Sequence, residues 1–489
     1  MKRWLFTLIF SVSFILVLGA CSNTDEAVEQ GEEEAEHAGH DEEMEGHDHD
    51  MPLDGSTGEN ELKLPPVLES DQETEDEVYY TIDAQQGKTE IFDGVETETL
   101  GYNTSFLGPV VRLQEGQKAH ITLKNSLDEV TTFHWHGLII EGEGDGGPHE
   151  EIQPGEEKEI TFDVQQDDAT LWFHPHPEGI TSKQVFDGLA GLLYIENEAE
   201  NPFEYGKNDF PLILQDRTFN DDKQLDYEAV KDEDGTMGET LLINGTVNPY
   251  VDVKQEKVRF RLINGSNMRN YNLKLSNGEA FELIASDGGM LNEPTEMTEL
   301  ELTPSERAEI VIDFSETDSN ETLSLMMDDE TVLLPFHVQD EAGDMQGADI
   351  ERDKQVEVTE EEKNLPVTKE LELFGMDDEV TINGKQFDKD RIDLTQKKGE
   401  TEVWEVYNKP DDMGGMVHPY HIHGTQFKVI SVNGEEPPAH LQGYKDTISL
   451  EPDDTVKLAV KFKEEGVYMY HCHILEHEDN GMMGQVKVE

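Results

Sequence analysis

The sequence is short of cationic side chains. Lysine and arginine number 36 against 110 aspartates and glutamates, so the formal net charge of the 489 residues is −74. A nucleic-acid partner is therefore disfavoured, because two polyanions repel each other. The same charge favours cationic substrates, or a salty medium that screens the repulsion within the chain. Both interpretations stay open.

Cysteine and long apolar runs are also scarce. The only cysteines are Cys21 and Cys472, and the apolar run at residues 4–18 is shorter than the ~20 residues that a membrane-spanning helix needs. This run follows a basic start and ends in Leu-Gly-Ala-Cys, which indicates an export signal over residues 1–20. Because that ending resembles a bacterial lipobox, we expect lipidation of Cys21 and anchoring to the outer face of the bacterial cytoplasmic membrane. An ordinary signal peptide is the alternative.

Residues 21–77 are expected to form a disordered acidic tether. Acidic residues dominate its first forty positions, which contain no lysine or arginine and no apolar periodicity. Four histidines lie in this stretch: His37, His40, His47 and His49. They either collect metal ions loosely or belong to a merely solvated linker.

Beyond about residue 78 the pattern is typical of an all-β protein. Short runs of alternating apolar and polar residues are separated by Gly, Pro, Asn and Asp, and no long stretch has a helical period. The clearest runs are residues 119–123, 160–164, 258–262, 309–312, 402–406 and 457–460.

Two internal repeats divide these strands into three units. One is an asparagine after an alternating strand, and the other is a proline turn before an acidic strand: Asn125, Asn264 and Asn408, and Pro154, Pro304 and Pro452. Both recur every 140 to 150 residues or so. The repeats predict three β-sandwich domains at residues 78–200, 201–340 and 366–489, with a linker at 341–365.

Histidines are concentrated in the first and third units, and residues 197–336 contain none. They form four His-x-His pairs: His134 and His136, His174 and His176, His421 and His423, His471 and His473. On a strand, residues i and i+2 share a face, so each pair presents two imidazoles to one place. Eight imidazoles from four strands would hold about three metal ions.

Cys472 lies between two of these histidines, so its thiolate would point to the opposite face of the same strand. His418, His477 and Met482 are candidates to join it there. Two His, one Cys and a weak axial Met are the ligands of a blue-copper electron-transfer centre. Zinc is the competing metal, but it has no redox chemistry.

The sequence His471-Cys472-His473 also suggests a mechanism. An electron accepted at the sulfur could pass along the strand to both flanking imidazoles and their metals. One copper at the sulfur and three at the histidines make four one-electron carriers, which matches the four electrons that reduce O2 to water.

These motifs resemble the multicopper oxidases, the laccase-like family of three cupredoxin domains. The matching segments are residues 133–137, 172–176, 418–424 and 471–482, and residues 188–192, 284–289 and 424–427 look like bacterial copper-efflux oxidases. The resemblance implies an all-β fold of three consecutive cupredoxin-like Greek-key sandwiches. It also implies four copper ions, with O2 and a small electron donor as substrates, and we expect a monomer.

The resemblance assigns the ligands residue by residue. The type 1 copper would take His418, Cys472, His477 and Met482; the type 2 copper His134 and His421; and the type 3 pair His136, His174, His176, His423, His471 and His473. It further implies that Asp145 and Glu478 relay protons to oxygen during reduction. The alternatives are a turn residue at Asp145 and a surface charge at Glu478.

One departure from the copper-efflux oxidases concerns the electron donor. Their methionine-rich insert before the last domain corresponds here to residues 337–374, which are rich in acidic residues and contain a single methionine, Met345. Met413 and Met416 precede His418 and are either thioether ligands or packing residues. Copper(I), other reduced metals and phenols therefore all remain candidate donors.

Two other functions compete with the oxidase. One is an exported protein that sequesters copper without turnover, using the acidic histidine-rich tail as a collector. The other is a copper nitrite reductase, which shares the fold but usually has two domains and lacks four His-x-His pairs.

Overall fold

Six β-sheets, packed in pairs as three sandwiches, make up the part of the chain that the computed structural model describes. That part comprises residues 51–196, 201–319, 322–343, 356–411 and 414–489. The predicted export signal, Cys21, the four tail histidines, Met345 and Met413 lie outside the described residues.

The segment before the first sandwich corrects one expectation. It contains two short strands, β1 (Asn60–Glu61) and β2 (Gln72–Glu73). β1 pairs in parallel with a strand of the middle sandwich, and Leu53 and Leu62 are buried in the core of that sandwich. The prediction of a tether extending to residue 77 is therefore wrong for residues 51–77, where apolar side chains among the acidic ones attach the segment to the folded body.

The first sandwich holds eight further strands and one helix, which lies between β9 and β10. They are β3 (Glu77–Phe92), β4 (Val95–Tyr102), β5 (Val110–Leu113), β6 (Lys118–Asn125), β7 (His134–His136), β8 (Glu157–Asp163), β9 (Ala169–His174), α1 (Thr181–Phe186) and β10 (Gly191–Ile195). One sheet has the order β2-β3-β6-β8 with β4 paired to β3, and the other has the order β5-β10-β9-β7. Alternation explains the faces: Ala119, Ile121 and Leu123 of β6 point into the core.

The middle sandwich has eleven strands besides β1, and one short helix. They are β11 (Asp209–Arg217), α2 (Tyr227–Val230), β12 (Thr240–Ile243), β13 (Pro249–Gln255), β14 (Lys257–Asn264), β15 (Tyr271–Leu275), β16 (Phe281–Ser286), β17 (Gly289–Met297), β18 (Glu299–Leu302), β19 (Arg307–Asp313), β20 (Leu323–Met327) and β21 (Val332–Ala342). Its sheets have the orders β12-β11-β14-β19-β16-β17 and β1-β13-β21-β20-β15-β18.

The third sandwich carries two short helices, one before its strands and one near its end. Its elements are α3 (Glu360–Lys363), β22 (Val367–Phe374), β23 (Thr381–Ile382), β24 (Leu394–Gln396), β25 (Glu402–Asn408), β26 (Tyr420–Ile422), β27 (Phe427–Val432), β28 (Tyr444–Lys445), β29 (Thr447–Ile448), β30 (Thr455–Val460), β31 (Gly466–Cys472), α4 (Leu475–Asp479) and β32 (Met483–Val488). The sheet orders are β23-β22-β25-β30-β27-β28 and β24-β32-β31-β26-β29. None of the helices in the described ranges has the length and apolar character needed to cross a membrane.

The two sequence repeats belong to one structural device. In each sandwich the repeated asparagine ends a strand, and its side-chain nitrogen donates to two backbone carbonyls at 2.7–2.9 Å. One of these two carbonyls always belongs to the residue two positions before the repeated proline. The amide thus ties a strand end to the following proline turn. The predicted all-β class with three sandwich domains is confirmed.

Candidate metal centre

Strand register brings the four His-x-His pairs together. β7 and β9 are antiparallel with His134 opposite His174, and β26 and β31 are antiparallel with His421 opposite His471. Only the pair on β7 lies wholly within a strand, whereas the other three run past strand ends. We call the eight paired histidines the histidine site.

The two halves of the histidine site come from different sandwiches and interleave. Every ring is at most 1% exposed. His134 of the first sandwich stacks on His423 of the third with ring centroids 3.7 Å apart, and His136 stacks on His421 at the same distance. The site therefore exists only where the first and third sandwiches meet.

In two rings of the histidine site, one nitrogen is hydrogen-bonded to the backbone and the other, which we call the inner nitrogen, has no hydrogen-bond partner among the described residues. Nδ1 of His134 donates to the carbonyl of Asp145 at 3.1 Å, and Nδ1 of His421 donates to the carbonyl of Asp446 at 2.9 Å. Nε2 of both rings is buried and has no hydrogen-bond partner among the described residues. Such contacts orient metal-bound histidines and set their tautomer, so both rings fit a metal ion.

Two further inner nitrogens face each other. Nδ1 of His423 donates to Oδ2 of Asp145 at 2.7 Å, and Nδ1 of His471 donates to the carbonyl of Cys472 at 2.9 Å. Their Nε2 atoms therefore carry lone pairs, yet they lie 3.0 Å apart. Burial lowers the pKa of His471 to about 3, so a proton does not relieve this repulsion at neutral pH. A bound metal cation does.

Several triads in the histidine site have metal-binding geometry. Their ligand atoms lie within 4.8 Å of one another in the groups His134, His136 and His174; His134, His421 and His423; and His176, His423 and His471. Imidazole suits copper, zinc, iron and nickel, so these groups alone do not select a metal. His473 completes the ring of side chains, with its centroid 5.0 Å from that of His136.

A second group lies on the other side of β31, and we call it the sulfur site: His418, Cys472, His477 and Met482. Sγ of Cys472 lies 3.8 Å from Nδ1 of His477, whose ring centroid is 5.4 Å from that of His418. Met482 and Cys472 are fully buried in the same core. Burial raises the pKa of the Cys472 thiol, so a thiolate here needs a metal cation beside it.

Asn408 of the third repeat supports the sulfur site. Because its Nδ2 donates to two carbonyls, its Oδ1 is left as an acceptor, and this oxygen lies 2.9 Å from Nδ1 of His418. In the other two repeats the same oxygen accepts a backbone N–H two residues along the chain. The sequence repeat contained this residue, but the repeat alone did not show its contact with a predicted ligand.

Helix α4 joins the two sites to the rest of the molecule. Glu476 accepts a hydrogen bond from Asn267 of the middle sandwich at 2.9 Å, and His477 faces the sulfur. The next residue, Glu478, has its Oε1 3.2 Å from Nδ1 of His176 in the histidine site. Asp479 accepts two backbone N–H groups at the start of α1 in the first sandwich. Four consecutive residues therefore face four different neighbours.

The two carboxyl groups predicted to relay protons both lie at the histidine site. Asp145 is 1% exposed and follows a single 3-10 turn (Gly142–Gly144). Gly146 after it has φ +83°, and a Cβ there would collide with the backbone of Phe133 and His134 at the start of β7. Glycine is therefore required at this position. This turn aims Asp145 at His423.

Glu478 sits at the opposite end, 2% exposed, between Nδ1 of His176 and Nδ1 of His471 at 3.2 and 3.4 Å. Burial raises its pKa well above the usual range for a glutamate. A cavity of about 210 Å³ is lined by Glu478 and His176, and its rim includes the exposed Glu178. The surface-charge alternative for Glu478 does not fit this burial.

Comparison with known proteins agrees with this geometry. Three family models, each described as multicopper oxidase, match residues 83–200, 197–330 and 360–489. The chain is 53% identical over 439 residues to "Multicopper oxidase mco" of Staphylococcus haemolyticus, covering 89% of this chain and 94% of that protein.

Solved structures are similar over the same length. A laccase from Pediococcus acidilactici has a TM-score of 0.84 at 45% identity, covering 90% of this chain and 95% of its own. A Campylobacter jejuni multicopper oxidase, described as a metallo-oxidase, has a TM-score of 0.75 at 30% identity, covering 89% and 97%. The chain thus belongs to the multicopper oxidase family, as an oxidase whose cofactor is copper.

Proposed function

We propose that this oxidase takes single electrons from a small donor at the sulfur site and uses them at the histidine site to reduce O2 to water. The observation that carries the proposal is that β31 and the residue after it serve both sites. Cys472 faces His477 on one side, while His471 and His473 join the histidine cluster on the other.

The donor sets support four copper ions. The sulfur site would hold the type 1 copper through His418, Cys472, His477 and Met482. The histidine site would hold the type 2 copper through His134 and His421, and the type 3 pair through His136, His174, His176, His423, His471 and His473. Bound copper supplies one-electron redox chemistry at both sites.

The chain itself supplies the path between the sites. Cys472 is bonded through the backbone to both flanking histidines, and Nδ1 of His471 also donates to the Cys472 carbonyl at 2.9 Å. That hydrogen bond gives a second connection from the cysteine to the ring. Both connections are buried, and the Cys472 side chain has no solvent exposure.

Glu478 and Asp145 support proton delivery. Burial raises the pKa of Glu478, which favours the protonated carboxyl, and its oxygens lie beside two rings of the histidine site. A general acid must lie within reach of the group that it protonates. Asp145 acts from the first sandwich, where its Oδ2 accepts from His423.

A cationic metal is the donor class that the charge supports best. The net charge of −74 concentrates cations at the surface and raises their encounter rate with the sulfur site. Copper(I), manganese(II) and iron(II) are therefore placed ahead of phenols, and oxidation of copper(I) would serve copper tolerance. Phenols remain the second donor class, because one similar structure is a laccase.

Oxygen uptake by the copper-loaded full chain tests the proposal. We expect uptake with copper(I), manganese(II) or a phenol, with one O2 consumed for four electrons donated. The Cys472→Ser variant is the matched control and should consume none. Stoichiometric copper binding with no blue absorption and no uptake from any donor would favour sequestration instead.

Location is a separate proposal. We propose that the protein is a monomer, and that it is exported and anchored through an acylated Cys21. The Leu-Gly-Ala-Cys ending of the N-terminal apolar run supports the export and the anchor. Cell fractionation of the Cys21→Ala variant should move the protein from the membrane to a soluble extracytoplasmic fraction. Unchanged membrane association would contradict the anchor.

A further inference from the structure

A fully buried ion pair lies where the three sandwiches meet. Arg307 at the start of β19 and Asp446 between β28 and β29 have no solvent exposure. Nη1 donates to Oδ1 and Nη2 donates to Oδ2, each at 2.6 Å. This bidentate arrangement is the strongest geometry for an arginine and a carboxylate, and it fixes the carboxylate plane.

The remaining donors of Arg307 are also used. Nε donates to the carbonyl of Thr170 in the first sandwich at 3.4 Å. Nη1 and Nη2 donate to the carbonyls of Ser305 and Asp287 in the middle sandwich at 3.2 and 3.0 Å. With the pair to Asp446, all five N–H groups have partners, and these belong to all three sandwiches. A shift of one sandwich would break bonds to the others.

Asp446 in turn holds two rings of the histidine site. Its Oδ1 accepts from Nε2 of His136 at 3.1 Å, and its carbonyl accepts from Nδ1 of His421 at 2.9 Å. The first contact directs the lone pair of His136 Nδ1 inward, toward Nε2 of His174 at 3.4 Å. The two rings that Asp446 contacts, His136 and His421, are also stacked on each other across the domain boundary.

The backbone after His136 leaves the ion pair little freedom. A Cβ at Gly137 would lie 2.5 Å from Oδ2 of Asp446 and 2.6 Å from Nη2 of Arg307. The pair is therefore packed against the strand that carries His134 and His136.

We propose that Arg307 is a positioning residue for the histidine site, acting through Asp446. The middle sandwich supplies none of the predicted ligands, yet through this arginine it sets the tautomer of His136 and the orientation of both rings. The catalytic role of the site in this inference rests on the proposed function. The effect of Arg307 on metal binding, which the experiment measures, does not.

A second buried arginine offers a matched control. Arg261 of the middle sandwich is 2% exposed and donates to Asp209 and Glu196 at 3.0 and 2.6 Å. It also donates to the side chain of Thr170 at 2.9 Å. Arg261 therefore joins the first and middle sandwiches in a similar ionic cluster, and its partners are not histidines.

The experiment compares Arg307→Gln and Arg307→Lys with Arg261→Gln and Arg261→Lys in the full chain. Copper retention is measured by competition with a chelator, alongside the blue absorption, the type 2 electron paramagnetic resonance signal, kcat and KM. Arg307→Gln should weaken copper retention at the histidine site by about 10- to 100-fold and broaden or shift the type 2 signal. The blue absorption and the KM for the donor should be unchanged, while kcat falls.

Arg307→Lys should recover part of the copper retention and part of the kcat that Arg307→Gln loses, because lysine restores the charge but not the bidentate geometry. The Arg261 variants should lower thermal stability and leave copper retention and the type 2 signal as in the parent protein. Equal copper retention in Arg307→Gln and Arg261→Gln would overturn the proposal. If the parent protein consumed no O2, the proposed function would fail, while chelator competition would still decide the role of Arg307.

Discussion

The sulfur site and the histidine site differ in how much of the molecule each one needs. All four residues of the sulfur site lie in the third sandwich, between residues 418 and 482. The histidine site takes four rings from the first sandwich and four from the third, and the middle sandwich holds two of them in place through Arg307. The ligands of the sulfur site thus come from one domain, whereas those of the histidine site come together only where domains dock.

The largest effect should come from removing the sulfur. Cys472→Ser deletes the thiolate that the sulfur site needs and should abolish the blue absorption and oxygen uptake. Because the histidine site has its own ligands, it should still bind copper, measured by metal analysis and the type 2 signal. Loss of all copper in this variant would show that the two sites do not form independently.

Glu478→Gln should impair the histidine site and leave the sulfur site intact, the reverse of the cysteine variant. The variant keeps the size of the side chain but cannot release a proton, so kcat should fall by about 100-fold or more, with blue absorption retained. Because burial raises the pKa of Glu478, the parent enzyme should lose activity only as pH rises through that raised pKa. The variant should lack this alkaline decline in its pH–rate profile.

Glu178→Gln is a suitable control, since Glu178 lies at the exposed rim of the same cavity. Its kcat should match that of the parent enzyme. A similar loss in both variants would mean that charge along the cavity, rather than a proton at Glu478, governs the rate.

Met482→Leu should perturb only the sulfur site, and its effect on activity should be smaller than those of the Cys472 and Glu478 variants. Leucine nearly matches methionine in volume, so the change in stability should stay below about 1.5 kcal/mol. Loss of a weak axial thioether changes the reduction potential of a blue-copper centre. We expect a shifted potential and a several-fold change in donor oxidation rate, with the type 2 signal unchanged.

The smallest effect should come from salt. Raising ionic strength from about 0.01 to 0.15 M shortens the Debye length from about 30 to 8 Å. The KM for manganese(II), which must approach a polyanion, should therefore rise a few-fold. The KM for neutral O2 should stay constant, and an equal rise in both would argue against steering of the donor by the surface charge.

Sequence patterns predicted the strands and both candidate sites because those features leave regular signals. Alternation marks the strands, and paired histidines around a lone cysteine mark metal chemistry. Asp446 and Arg307 carried no such signal, because each is an ordinary charged residue and their pairing depends on how sandwiches dock. The inclusion of residues 51–77 in the body was missed for a similar reason, since Leu53 and Leu62 find their core in a domain far along the chain.

Helix α4 limits how this enzyme can be redesigned. Successive helical residues turn by about 100°, so the four from Glu476 to Asp479 span nearly the whole circumference of the helix. Inserting or deleting one residue in this turn would rotate every later side chain onto the wrong neighbour. Altered donor preference should therefore be engineered in loops around His418, with the length of this turn left as it is.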